Sequence, residues 1–196
     1  MSEEQTNPAA ERIKERKRNA VQPEEFLKDA DAIRPTGDEQ KLSFTDSFAD
    51  RLAEHLEEVQ ADGISLTDLA QLFGVPESEV TEREFEYTAW QIRNVVYNWP
   101  SEGALLFDIA TDHALRTISD EWDEVPPRQR FMIAQSLRSF QDECLFCGGI
   151  PDFNNKPVTS CCSERRVLTF RCPECERLFL EFSTESRENS HIGSNV

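Results

Sequence analysis

Apolar residues along the chain fall into two regimes, stepping by three or four through the middle and alternating with polar residues near the C-terminal end. Phe44, Phe48, Leu52, Leu56 and Val59 stand at intervals of four, four, four and three, a single stripe that predicts an amphipathic helix. His55 lies beside the stripe with no second His or Cys one turn away, so it reads as an edge residue. The helix is expected to stop near Ala61-Asp62-Gly63, where Gly63 offers a left-handed cap. Thr81 to Glu84 has the form of a capping box, and Phe85, Ala89, Ile92, Val96 and Trp99 then predict a longer helix ended by Pro100. Ser101 can cap the next one, which carries Leu105, Leu106, Ile109, Ala110, His113 and Leu115 toward Trp122. Pro126-Pro127 open a last helix, with Ile133, Leu137 and Phe140 inward. After it, Val167 to Phe170 and the alternation of Leu178, Leu180 and Phe182 predict strands.

The chain divides into four segments. Residues 1–41 contain Pro8, Pro23 and Pro35 with few large apolar residues and are expected to be a mostly disordered tail. Residues 42–143 form a helical domain, 144–183 a small β domain and 184–196 a second tail. The expected fold class is therefore mainly α: an acidic helical bundle with a small C-terminal β unit after it.

Between the first two predicted helices of the bundle, Ser65 with Asp68 makes a capping-box start, and Gly74 with Pro76 marks a tight turn. Small Ala70, turn Gly74, and Leu69, Val75 and Val80 between the arms resemble a helix-turn-helix over residues 65–80. That resemblance implies a second, recognition helix. Its outward positions would carry Glu77, Glu79, Glu82 and Glu84 against Arg83, and carboxylates cannot neutralise phosphate.

Charge changes the picture. The chain of 196 residues has 38 Asp plus Glu against 21 Lys plus Arg, a formal charge of −17, and only five of the basic residues are Lys. This Lys-poor acidity resembles that of haloarchaeal cytosolic proteins, whose carboxylate-rich surfaces stay hydrated in molar salt. No run of about 18 apolar residues occurs and the first twenty residues have no apolar stretch, so neither a membrane span nor a secretory signal is expected, and the location reads as cytoplasmic. The densest basic run includes Arg16, Lys17 and Arg18 and reads either as a solvated helix face or as an arm able to meet phosphates or an acidic partner.

Six cysteines in a reducing compartment read first as metal ligands. Cys144-Leu-Phe-Cys147-Gly148-Gly149 and Cys172-Pro-Glu-Cys175 are two C-x2-C pairs. A two-residue gap lets both thiolates of a pair bite one tetrahedral ion, and a following Gly permits the tight turn whose amides point at sulfur. The pattern resembles a zinc ribbon, which implies one structural Zn²⁺ held by Cys144, Cys147, Cys172 and Cys175. Cys161 and Cys162 are left over, as alternate ligands, a vicinal redox pair near Arg165 and Arg166, or small apolar supports.

No phosphate-binding glycine loop and no nucleophile motif occurs. Asp108, Asp112 and His113 sit close together on one predicted helix and are the nearest approach to an acid–base group, with no third ligand in sequence; a solvated acidic face accounts for them. The chain is expected to be a zinc-binding, non-enzymatic regulatory or adaptor protein acting by protein–protein recognition in a setting such as transcription. No membrane is expected, and no small-molecule substrate is identified. Two other readings stand beside it: DNA binding through the corner, the basic arm and the ribbon residues Arg165, Arg166, Arg171 and Arg177, and thiol redox sensing through Cys161 and Cys162.

Overall fold

A computed structural model describes residues 18–37, 41–160 and 163–184. In chain order the elements are α1 (Pro23–Asp29), β1 (Ile33–Thr36), β2 (Lys41–Phe44), α2 (Asp46–Asp62), α3 (Leu66–Phe73), β3 (Val80–Arg83), β4 (Ala89–Ile92), β5 (Val95–Asn98), α4 (Glu102–Ile118), α5 (Pro127–Leu137), β6 (Asp152–Ser160), β7 (Ser163–Arg171) and β8 (Leu178–Thr184). Short 3₁₀ turns at Glu77–Glu79, Asp120–Glu124 and Arg138–Phe140 link them.

The architecture is mixed α/β, which corrects the mainly α expectation. Among the described residues, five helices are joined by three small antiparallel sheets, β1-β2, β3-β4-β5 and β6-β7-β8. The predicted helix over 81–99 is the meander β3-β4-β5, with Val80 opposite Ile92 and Ile92 opposite Val95. The helical spacing of Phe85, Ala89, Ile92 and Val96 is accidental: Phe85 and Val96 are exposed, whereas Ala89, Trp90 and Ile92 are buried on the strand. Arg93 closes the β4–β5 turn at φ 56°. Its amide donates to the Glu79 carbonyl at 2.8 Å and its guanidinium to the Glu79 carboxylate, which offsets that conformation.

The helix-turn-helix expectation falls with the same observation. Its first arm is α3, opened by the predicted capping box, with the Asp68 amide donating to Ser65 Oγ at 3.1 Å and the Ser65 amide donating to Asp68 Oδ2 at 3.0 Å. Gly74 ends α3 in the left-handed region. Beyond Gly74 the chain makes a single 3₁₀ turn and enters β3, so no recognition helix is present. Pro76 starts the turn, and the β-branched pair Val80-Thr81 favours the strand it leads into.

The expected N-terminal tail is partly folded. Phe26, Leu27, Ala32 and Ile33 are buried, and they pack with Phe44, Phe48, Leu52, Phe107, Trp122 and Leu137 in one core. Four apolar residues at a helix–strand junction are too few to show a period, which is why the sequence reads as unstructured there. A second core lies on the opposite side of α4, where α3 and the β3-β4-β5 sheet bring Leu69, Leu72, Trp90 and Trp99 against Leu105 and Ile109. The third is within the C-terminal β unit: Cys144, Phe170, Cys172, Phe179 and Leu180. Helix α4 is the common wall, with eleven of its residues buried, among them Gly103, Phe107, Asp108 and Asp112.

Candidate metal centre

The two C-x2-C pairs arrive from different directions. Cys144 comes just after the turn that ends α5, and its carbonyl accepts from the amides of Cys147 at 3.1 Å and Gly148 at 2.7 Å, so the chain folds back on itself. Gly148 takes φ 76° to make that turn. The Cys144 amide closes the loop on the Gly149 carbonyl at 2.7 Å. The second pair sits between β7 and β8, where the Cys172 amide donates to the Arg177 carbonyl at 3.0 Å and Glu176 adopts φ 59°. Both pairs are therefore compact turns of the kind that point amides at sulfur.

The amides do so. Cys144 sulfur receives the Phe146 amide, Cys147 sulfur the Gly149 amide, and Cys175 sulfur the Arg177 amide, each two residues on. The four sulfurs lie within 4.8 Å of one another. Cys144 Sγ is 3.7 Å from Cys175 Sγ and Cys147 Sγ 3.5 Å from Cys172 Sγ. A tetrahedral thiolate site with metal–sulfur bonds of about 2.3 Å has edges of about 3.8 Å. The donor set thus fits one tetrahedral metal ion.

Their acidities reflect this crowding. Desolvation, with the Cys175 and Cys147 sulfurs, pushes the Cys144 thiol well above its ordinary value despite the Phe146 amide. At Cys147 the Gly149 amide lowers the pKa, but desolvation and the Cys172 and Cys175 sulfurs outweigh it and the net shift is upward. Desolvation works against Cys175 as well, yet the Arg177 amide and guanidinium with the two neighbouring thiols bring it down to about 7. A cation placed among the four sulfurs favours the thiolate and so works against the upward shifts of Cys144 and Cys147.

Packing holds the centre to the body. Arg177 lays its guanidinium over the Phe146 ring, 4.4 Å from the centroid. Its aliphatic stem lies against Gly103 at the start of α4, where a Cβ would come within 2.8 Å of Arg177 Cδ. Ser101 Oγ donates to the Leu178 carbonyl at 2.6 Å, and Arg138 Nη1 to the Phe179 carbonyl at 3.0 Å. Gly149 is equally constrained: an added Cβ would stand 3.0 Å from Cys172 Sγ and 2.8 Å from the Glu174 carboxyl carbon.

The remaining residues singled out in the sequence are dispersed. Cys161, Cys162, Arg16 and Lys17 lie outside the described residues, and Arg18 is exposed ahead of α1. Arg165 and Arg166 are on β7, register partners of Val158 and Pro157. Arg171 pairs with Glu176 at 3.7 Å, and Arg177 is committed to Phe146 and Cys175. Asp108 and Asp112 do not form a solvated face. Asp108 accepts from Trp99 Nε1 at 2.8 Å and Arg138 Nε at 2.7 Å, and Asp112 from Trp122 Nε1 and Arg116 Nε, both at 2.8 Å. One helical turn apart, each carboxylate receives one indole and one guanidinium. His113 turns away to Asp68, Nε2 to Oδ1 at 3.2 Å, and His55 bonds Glu58 at 2.9 Å. The roles of Arg138, Trp99 and Gly103 escaped sequence reading because each depends on a partner, Asp108 or Arg177, that only the tertiary fold places against it.

Fold and site together define a chain in which an α/β body wrapped around one central helix carries a C-terminal antiparallel unit with a four-cysteine site suited to a metal ion. Residues 22–139 match the family model described as "Family of unknown function (DUF8054) central domain", and residues 142–182 the one described as "Family of unknown function (DUF8054) C-terminal domain". The chain belongs to the DUF8054 family. Neither the curated proteins nor the solved structures contain a match.

Proposed function

We propose that the chain is a non-enzymatic regulatory or adaptor protein of the cytosol, in which one structural Zn²⁺ on Cys144, Cys147, Cys172 and Cys175 fixes the ribbon against the helical body for recognition by a protein partner. The observation that carries this reading is the set of four clustered cysteines, with the Leu178 and Phe179 carbonyls beside the second pair tied to Ser101 at the start of α4 and to Arg138 after α5. Four thiolates fill a tetrahedral zinc shell and leave no position for water, so such an ion stabilises and orients rather than hydrolyses. Zinc is the favoured ion because all-sulfur tetrahedral donors suit it and it brings no redox change of its own.

The test recovers tagged chain from a crosslinked molar-KCl lysate, with and without nuclease, alongside a Cys172→Ser variant. One protein partner that survives nuclease and is depleted with the variant is the expected result. Discrete DNA fragments without a protein partner, or zinc-loaded chain that retains no partner at all, would overturn the reading.

A further inference from the structure

Away from the cysteines, a groove of about 940 Å³ runs between α5 and the β4–β5 turn. That volume is at the upper end of the range in which small-molecule pockets fall. Phe73 and Gly74 at the end of α3 line it, together with Ile92, Val95 and Tyr97 from the sheet and Met132 from α5. Val95 is 52% and Met132 57% exposed, so large apolar side chains face a concavity that nothing fills among the described residues.

Its charge is the unusual part. Sixteen residues line the groove and none is Asp or Glu, whereas the chain's average of 38 acidic residues in 196 puts about three in any sixteen positions. The only formal charges in the lining are two guanidiniums, Arg93 and Arg128. Arg93 is engaged by Glu79, but Arg128 is exposed and makes no ion pair or hydrogen bond among the described residues. The other polar groups of this wall are spent: Gln129 is bonded to the Val21 backbone and Ser136 Oγ to the Ile133 carbonyl.

We propose that this groove binds a small amphiphilic organic acid, its apolar body against Val95, Tyr97 and Met132 and its anionic group on the Arg128 guanidinium. An anion is repelled by much of a chain of charge −17, and this groove has no carboxylate in its lining and a planar donor fork free to take an anionic group. Apolar burial then supplies affinity and the fork supplies orientation. The site is independent of the adaptor reading and adds a ligand-binding activity to it.

The full zinc-loaded chain is titrated with 8-anilinonaphthalene-1-sulfonate at the lowest salt that leaves its near-ultraviolet circular dichroism unchanged. The bound dye is then displaced with decanoate or with decyltrimethylammonium, which share a tail and differ in charge. One saturable site is expected, with decanoate effective at a concentration about tenfold lower than the cation. Arg128→Glu should remove that preference and Met132→Asp should remove the site, both with unchanged circular dichroism, because both side chains are exposed. Equal displacement by the two tails, a dye signal that never saturates, or unchanged binding in Met132→Asp would overturn the proposal. Binding that appears only after deletion of residues 1–17 would also overturn it, by making the chain's own N-terminal segment the occupant.

Discussion

Removing the Arg138 guanidinium would leave the Asp108 carboxylate fully buried with only the Trp99 indole to hold it. Burial pushes this carboxyl above the ordinary value of 3.8, and the charge and hydrogen bonds of Arg138 and the indole pull against that push. A raised pKa favours the folded chain below 3.8 and loses that contribution as pH rises through the raised value, so at neutral pH Asp108 depends on Arg138. Arg138→Met is expected to cost about 3–5 kcal/mol in urea denaturation at pH 7, and the Asp108→Asn/Arg138→Met double variant to cost less than the sum of the singles. Gly149→Ala puts a methyl against Cys172 Sγ and the Glu174 side chain. It should weaken metal affinity about 10- to 100-fold, read by Co²⁺ titration against a competing chelator. Gly148, directly after the first pair, was legible in the sequence as a turn former. The Gly149 contact with Cys172 was not, because the two residues meet only when the pairs close on one another.

At the scale of elements, α3 is where local sequence and structure agree. Ser65 and Asp68 cap one another as the spacing predicts, and Ser65→Ala should cost about 1 kcal/mol. The structure adds His113 of α4 to this cap. Desolvation raises the Asp68 pKa, but hydrogen bonds from His113 and Ser65 outweigh it and the net shift is downward. The stability so contributed is complete above 3.8 and is lost as pH falls through the lowered value. Asp68→Asn is therefore expected to flatten the acid limb of a thermal-stability profile below about pH 4, the ordinary carboxylate range. The β3-β4-β5 meander marks the opposite case. Four-residue strands are too short to establish an alternation, and Thr81 with Glu84 imitates a helix cap that only the burial of Trp90 and Ile92 refutes.

Across the whole molecule, α4 couples the metal centre to both larger cores. Arg177 on Gly103, Ser101 on the Leu178 carbonyl, Arg138 on the Phe179 carbonyl and the Phe107–Phe179 ring pair at 6.3 Å all cross between ribbon and body. Metal removal by chelator, or Cys172→Ser, is expected to lower the calorimetric midpoint of the whole chain and to split one transition into two. A single transition at an unchanged midpoint would show that the ribbon is thermally independent. Net charge acts at the same scale. A chain of charge −17 repels itself, and at 1 M salt the screening length is only about 3 Å, so the midpoint should rise as KCl is taken from 0.1 M to 2 M.

The local patterns that needed no partner were readable from the chain alone: the stripe of α2 from Phe48 to Val59, although its expected first residue Phe44 ends β2 opposite Ile33, the cap of α3, the start of α4 at Ser101 and the two C-x2-C turns. Each depends on residues within about one or two turns of one another, and period, capping chemistry and ligand spacing are local quantities. The mixed fold class, the buried Phe26 to Ile33 segment, the indole–carboxylate–guanidinium pairs and the acid-free groove were decided by the tertiary structure. In each of these, residues distant in sequence exchange water for one another, and whether a carboxylate is a solvated face or a buried acceptor depends on what is packed over it.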